Sequence, residues 1–328
     1  MSSLYLLGGK QRDLRFIGAE EWDLYESALI LKLDLATGAA QACVEYKSPL
    51  AARPHEHSAC LFKSGAVLGD TLYACTNTEI LVFGLPEFEQ LNYITLPCFN
   101  DLHHVTPCQD GTLLVVSTGL DMVLRITPEG SLVEQWDVLG GAPWQRFSRD
   151  IDYRKIATTK PHLSHPNFTF QLNGDIWVTR LQQRDALCLT SPGKRIDIAL
   201  EQPHDGLVSG KRIYFTLVDG RLVVANTDTL TVEKVVDFKP MSDPNALLGW
   251  CRGVLPADGE KLWVGFTRVR KTRFRDNVLW VKRVFKEGMI EKPTHISLYD
   301  IGTDQCLREF DLEMHGMNII YSIFRTLK

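Results

Sequence analysis

A chain of 328 residues, 45% hydrophobic and 23% charged, has the composition of a globular protein with a sizeable core. Its formal net charge of −4 gives no global reason to expect nucleic acid or an anionic membrane as partner. No apolar run approaches the roughly 20 residues of a membrane span, and the opening MSSLYLLGGKQRD lacks a basic start followed by a long apolar stretch, so a cytoplasmic location is expected.

The chain opens with three strand candidates, LYLLGG, ALILKLDL and AQACVEY. A unit then recurs: a short apolar strand, a turn with Gly, Asn or Asp, and an apolar-aromatic strand. The turns are Gly69-Asp70 before TLYAC, Asp110-Gly111 before TLLVV, Asn173-Gly174 before DIWV, Gly210 before KRIYF and Asp258-Gly259 before EKLWVGF. Such turns between β-branched and aromatic runs are hairpin signals. Two more strand candidates follow each, as in VLRITPEG and SLVEQWDV, making four strands per unit. Long amphipathic helices are missing, which argues against an α/β fold.

Five complete units start near residues 57, 104, 165, 204 and 252, and one strand, Asn318 to Phe324, is left at the C-terminus. Three N-terminal strands plus this one complete a sixth blade and remove the open edge of a linear array. The expected fold is all-β: a single six-bladed β-propeller over 1–328, closed by its C-terminal strand. Two stretches exceed the repeat, near 139–164 and 267–294, and long insertions on a rigid scaffold commonly carry function.

The strand periodicity, with the segment HHVTPCQDGTLLVVSTGLDMVLRITPEG, resembles the six-bladed propeller superfamily of NHL-repeat, gluconolactonase-like and arylsulfotransferase-like proteins. The resemblance spans nearly the whole chain. It implies architecture, and a range of activities that includes lyases, hydrolases, sulfotransferases and interaction modules.

Eight of the nine histidines stand at blade entrances: His55 and His57, His103 and His104, His162 and His165, His204, and His315 before the last strand. Innermost strands line the channel of a propeller, so residues entering them converge near its axis. His57, His104, His165, His204 and His315 are therefore the expected ring. Neutral imidazoles in this number suit a transition metal, Zn or Fe, that activates water or substrate. Neighbouring strand residues face opposite ways, so at most one of each adjacent pair is expected to face the axis. The alternative for each imidazole is a loop cap or a metal-free acid–base role.

The last complete blade carries Arg252 where the others carry histidine, seven residues before Gly259 as His104 is seven before Gly111. Arginine would anchor an anionic group, or else pair with Asp101 or Asp205. Those two acids could also orient the neighbouring imidazoles. Tyr321 on the closing strand is a candidate proton donor. None of the eight cysteines forms a CxxC pair, and packing is expected of them; Cys251, beside Arg252, has a reactive thiol as its alternative. The segment 268–286 carries eight Lys or Arg against one acid and could clamp an anion.

These residues lead to the expectation of a metal-dependent enzyme of small-molecule metabolism, a lyase, hydrolase or oxygenase. The histidine ring would activate water or substrate while Arg252 holds a small anionic substrate. The alternatives are metal-free histidine-dependent group transfer and a non-catalytic protein-interaction propeller.

Overall fold

The apolar runs between Gly, Asn and Asp turns form strands throughout the computed structural model, which describes residues 2–13, 24–56, 58–269 and 290–326. The strands make six four-stranded antiparallel sheets, the blades of a propeller. Blade 1 runs outward as Ile319–Arg325, Ser3–Gln11, Tyr25–Asp34 and Ala40–Tyr46. Blades 2 to 6 take their strands in chain order, beginning at Gly65, Leu102, Pro166, Leu207 and Trp250; within blade 6 the short strand Ile290–Glu291 leaves the blade to pair in parallel with Ala246–Leu247. The first strand of blade 2 thus starts later than residue 57. The backbone before it is still held by blade 1: the amides of Cys60 and Phe62 donate to the carbonyls of Tyr25 and Gly8.

Strand alternation buries one face of each blade against the next. Leu4, Leu6, Leu31, Trp263, Ile296 and Ile320 fill the seam between blades 6 and 1, and Tyr5, Leu7, Phe62, Leu72 and Phe83 that between blades 1 and 2. The seam between blades 3 and 4 is thinner, with Val116, Val123, Val138 and Val178 at its centre. Polar contacts add to it. The Arg180 guanidinium donates to both Asp185 carboxylate oxygens, at 2.8 and 2.6 Å, and to the Val138 carbonyl.

Closure is a backbone pairing. The last strand runs antiparallel to the first, with Leu4 opposite Arg325 and Gly9 opposite Ile319. A bulge between Leu7 and Gly8 brings the chains so close that a Cβ on Gly8 would lie 1.8 Å from the Ile319 carbonyl oxygen. Glycine is required there.

The first insertion folds down onto the propeller. Its short 3₁₀ turn Tyr153–Lys155 buries Tyr153 in the seam between blades 2 and 3, and Asn100 donates to the Tyr153 and Ile156 carbonyls, both at 2.8 Å. The second insertion, including Arg270, Arg273 and Arg275, lies from 270 to 289 outside the described residues. Among the described residues no helix is long and apolar enough to cross a membrane.

Deleting residues 317–328 would strip five buried side chains, Met317, Ile319, Ile320, Tyr321 and Ile323, and leave the first strand with a free edge. At roughly 1.5–3 kcal/mol per side chain the loss is on the order of 10 kcal/mol, the size of a whole domain's stability. The truncated chain is expected to lose cooperative urea unfolding. An unchanged midpoint would contradict closure.

Candidate functional site

The entrances to the innermost strands do meet at one mouth of the channel, but parity alone does not decide which side chains reach it. In blade 3 the register shifts between Leu102 and His104. A bulge re-aims its extra residue, and here His103 turns to the mouth. His104 turns into the seam between blades 3 and 4. There the Thr169 amide donates to its Nδ1 at 3.3 Å, its Nε2 donates to the Gly65 carbonyl at 3.2 Å, and its ring stacks on Phe168 with centres 3.6 Å apart. Burial pushes the His104 pKa down to about 3. The expected ring position at His104 is therefore corrected to His103.

His315 is a second correction. It ends a 3₁₀ turn, Glu313–His315, closed by Gly316 at φ 82°, and its Nε2 donates at 3.1 Å to the carbonyl of Gly38, in a loop of blade 1. His57 lies outside the described residues, and His55 is exposed. His165 and His204 stand where expected, joined by His103 and His162. The ring centre of His103 is 4.9 Å from that of His165 and 6.0 Å from that of His204.

His103, His162 and His165 border a cavity of about 580 Å³ whose lining also includes Lys63, Asp101, Arg252 and Tyr321; His204 is buried beside His103 and Tyr321. The first insertion supplies part of the wall, with Ala157, Thr158, Lys160, Pro161 and His162.

Hydrogen bonding fixes the tautomers. His103 Nδ1 lies 2.9 Å from the Asp101 carbonyl and 3.4 Å from the Lys63 ammonium; the shorter contact, to a carbonyl that only accepts, puts the proton on Nδ1 and leaves Nε2 its lone pair. His204 Nδ1 faces an Asp205 carboxylate oxygen at 3.4 Å, and its buried Nε2 has no partner among the described residues. For His165 the proton is set by a chain. Thr159 donates to the Gly119 carbonyl and accepts from His162 Nε2 at 3.3 Å; His162 Nδ1 then accepts from His165 Nδ1 at 2.8 Å. His165 also keeps its Nε2 lone pair.

Burial holds these rings neutral. It drives His103 far below its usual pKa, with Lys63 adding to the effect. Burial and the neighbouring His162 do the same to His165, and burial lowers His204. Asp101 behaves oppositely: burial pushes its carboxyl up, but Lys63, His103, His162 and Lys160 together outweigh this and hold it well below the usual range.

Arg252 owes its aim to another bulge, between Cys251 and Val254. Gly253 takes φ 76°, a left-handed value that suits glycine, and donates its amide to Asp205 at 2.8 Å. The guanidinium carbon lies 4.7 Å from the Tyr321 ring centre and 5.9 Å from that of Trp250. Neither expected acid pairs with it. Asp101 holds Lys63, and Asp205 accepts from Thr216 and Gly253. Among the described residues no carboxylate meets Arg252, and its Nε is buried without a hydrogen-bond partner. Cys251 is packing: burial pushes its thiol well above the usual pKa. All eight cysteines are free.

Sequence reasoning missed Asp121. This buried carboxylate accepts from the amides of Leu163, Ser164 and His165 at 2.8 to 3.1 Å and from Arg146 at 3.0 Å, so it shapes the loop that carries His162 and His165. Its one sequence signal is an acid set inside an apolar run, Gly119-Leu120-Asp121-Met122. Lys63 was also missed, since it follows an apolar stretch and reads as a strand end.

The three Nε2 lone pairs would suit a metal ion, whose histidine ligands donate their other N–H to an acceptor. Yet among the described residues no three His, Cys, Asp or Glu side chains come together as a metal-binding group. The expected five-histidine centre is not assembled from these residues.

No family model matches the chain, and no curated protein is similar to it in sequence. Solved structures share its fold. A protein of unknown function from Bacteroides caccae superposes with a TM-score of 0.61 at 13% identity, covering 98% of each chain. A chain of a nidogen/laminin complex gives a TM-score of 0.55 at 11% identity, covering 98% of this chain and 97% of that one.

The neutral imidazoles make stability depend on pH. Below about 6.5 the unfolded chain binds protons on histidines that the fold keeps neutral, so stability falls with pH. Each such ring contributes up to about 1.4 kcal/mol per pH unit, and for His104 the loss runs on to about pH 3. The urea midpoint is expected to be clearly lower at pH 4.5 than at pH 7.5. Equal midpoints would mean that these imidazoles titrate normally.

Proposed function

We propose that the channel mouth is the active site of an enzyme of small-molecule metabolism, which anchors an anionic substrate on Arg252 and transfers a proton through a neutral imidazole. One observation carries this reading: a guanidinium without a carboxylate partner shares a cavity with imidazoles whose Nε2 lone pairs are unprotonated. A permanent cation left uncompensated in a partly buried site favours an anion. A neutral imidazole with its Nδ1–H already bonded offers its Nε2 lone pair to a proton, and its lowered pKa means that it gives the proton up again readily.

His103 is the base this arrangement favours. A proton taken at its Nε2 would leave an imidazolium whose Nδ1–H donates to the Asp101 carbonyl, with the Asp101 carboxylate 4.0 Å from the same nitrogen. The proton would come from water in a hydrolysis, or from a substrate O–H or C–H in a lyase reaction. His165 offers a second Nε2 on the neighbouring wall. Tyr321, whose ring lies against both Arg252 and His103, would be the hydroxyl that returns a proton to the leaving group.

A second reading gives the Nε2 lone pairs to zinc or iron. The shared tautomer of His103, His165 and His204 favours it; the lack of a three-ligand group among the described residues does not.

Sodium formate and sodium acetate are expected to raise the melting temperature of the wild type at constant ionic strength. Arg252→Gln should bind them at least tenfold more weakly. Equal stabilisation of both proteins would sink the anion site and favour an interaction propeller. Elemental analysis separates the two catalytic readings: stoichiometric zinc or iron, lost in His103→Ala and His165→Ala, would replace acid–base catalysis by metal chemistry.

A further inference from the structure

We infer that the ligand of this cavity is an amphiphilic monoanion, a single carboxylate on an aromatic or branched hydrocarbon body. The inference rests on the reading of Arg252 as an anion anchor and specifies what the rest of the ligand must be.

Charge sets the first limit. Lys63 is paired with Asp101, Arg268 with Glu313 at 2.8 Å, and Lys160 is itself engaged. Arg252 is a lining cation with no carboxylate partner among the described residues, so the place beside it suits one negative charge. A phosphate monoester brings about −1.5 to −2 at neutral pH, and the excess would sit desolvated beside the Asp101 carboxylate. A planar carboxylate matches both the charge and the fork of the guanidinium.

The apolar wall sets the second limit. Leu24, Tyr25, Leu61, Ile319 and Tyr321 form one buried apolar cluster, and all five line the cavity. Tyr321 belongs to both halves, since Arg252 lies over its ring. An anion held at Arg252 therefore has an apolar surface directly beside it. At about 580 Å³ the cavity is of the size of small-molecule sites and far exceeds what acetate would fill. A ligand ending at its carboxylate would leave this wall wet, whereas each methylene laid on it strengthens binding roughly fourfold.

Calorimetric titration of the full chain with acetate, benzoate, 3-phenylpropionate, 3-phenylpropionamide and inorganic phosphate tests the inference. The expected order is 3-phenylpropionate tighter than benzoate tighter than acetate, at least tenfold from end to end. Phosphate should bind more weakly than 3-phenylpropionate, and the amide at least tenfold more weakly than its acid. Leu61→Ala should weaken 3-phenylpropionate severalfold and leave acetate unchanged, whereas Arg252→Gln should weaken both; should either variant fail to fold, the wild-type series decides alone. Acetate or phosphate binding as tightly as 3-phenylpropionate would overturn the amphiphile and leave the anion site standing. An amide as tight as its acid would overturn the anion site itself, and no binding by any member at millimolar concentration would overturn both.

Discussion

The pairing of Ile319–Arg325 with Ser3–Gln11 is the contact on which the rest of the molecule depends. A propeller built from consecutive blades would end in two unpaired strand edges and two half-covered apolar faces. Borrowing one strand from the far end of the chain satisfies both edges and turns a row of blades into a ring. Only in a ring do side chains as distant in sequence as Lys63, His165 and Tyr321 border one cavity. The bulge at Gly8 and the bulges at His103 and Arg252 belong to the same geometry. Strands near the axis crowd, and an extra residue relieves the pairing while turning a side chain into the space left open.

Three acids then organise what closure collects. Asp101 offers its carbonyl to His103 and its carboxylate to Lys63. Asp121 gathers three consecutive amides and so fixes the loop of His162 and His165. Asp205 faces His204 and accepts the amide that follows Arg252. Each consumes its hydrogen-bonding capacity on backbone or on a neighbour. None is left to neutralise Arg252. The mouth therefore keeps base lone pairs and one uncompensated cation side by side, a combination that a purely structural channel would have no reason to hold.

The fold was legible because its signal is periodic and its arithmetic closes: hairpin turns recur at blade spacing, and three leading strands need one trailing strand. The site was legible in location but not in detail. His165 and Arg252 line the cavity at the mouth, and His204 lies buried beside His103 and Tyr321. Spacing to the following glycine failed at His104 because a bulge, invisible in a hydrophobicity pattern, shifts the register by one residue and exchanges the faces of His103 and His104. His315 failed for a different reason: the 3₁₀ turn that carries it ends before the last strand begins and directs it to Gly38. Asp121 and Lys63 act through contacts spanning some 40 residues, which a single sequence does not display.

The central claim is that the mouth presents neutral imidazoles with unprotonated Nε2 atoms, and the nitrogen chemical shifts of ¹⁵N-histidine-labelled protein measure this directly. At pH 6.0 the account predicts His103, His165 and His204 in the neutral Nδ1–H form, and His104 neutral with its proton on Nε2. Imidazolium signals from the three mouth histidines, or Nε2–H tautomers among them, would contradict it.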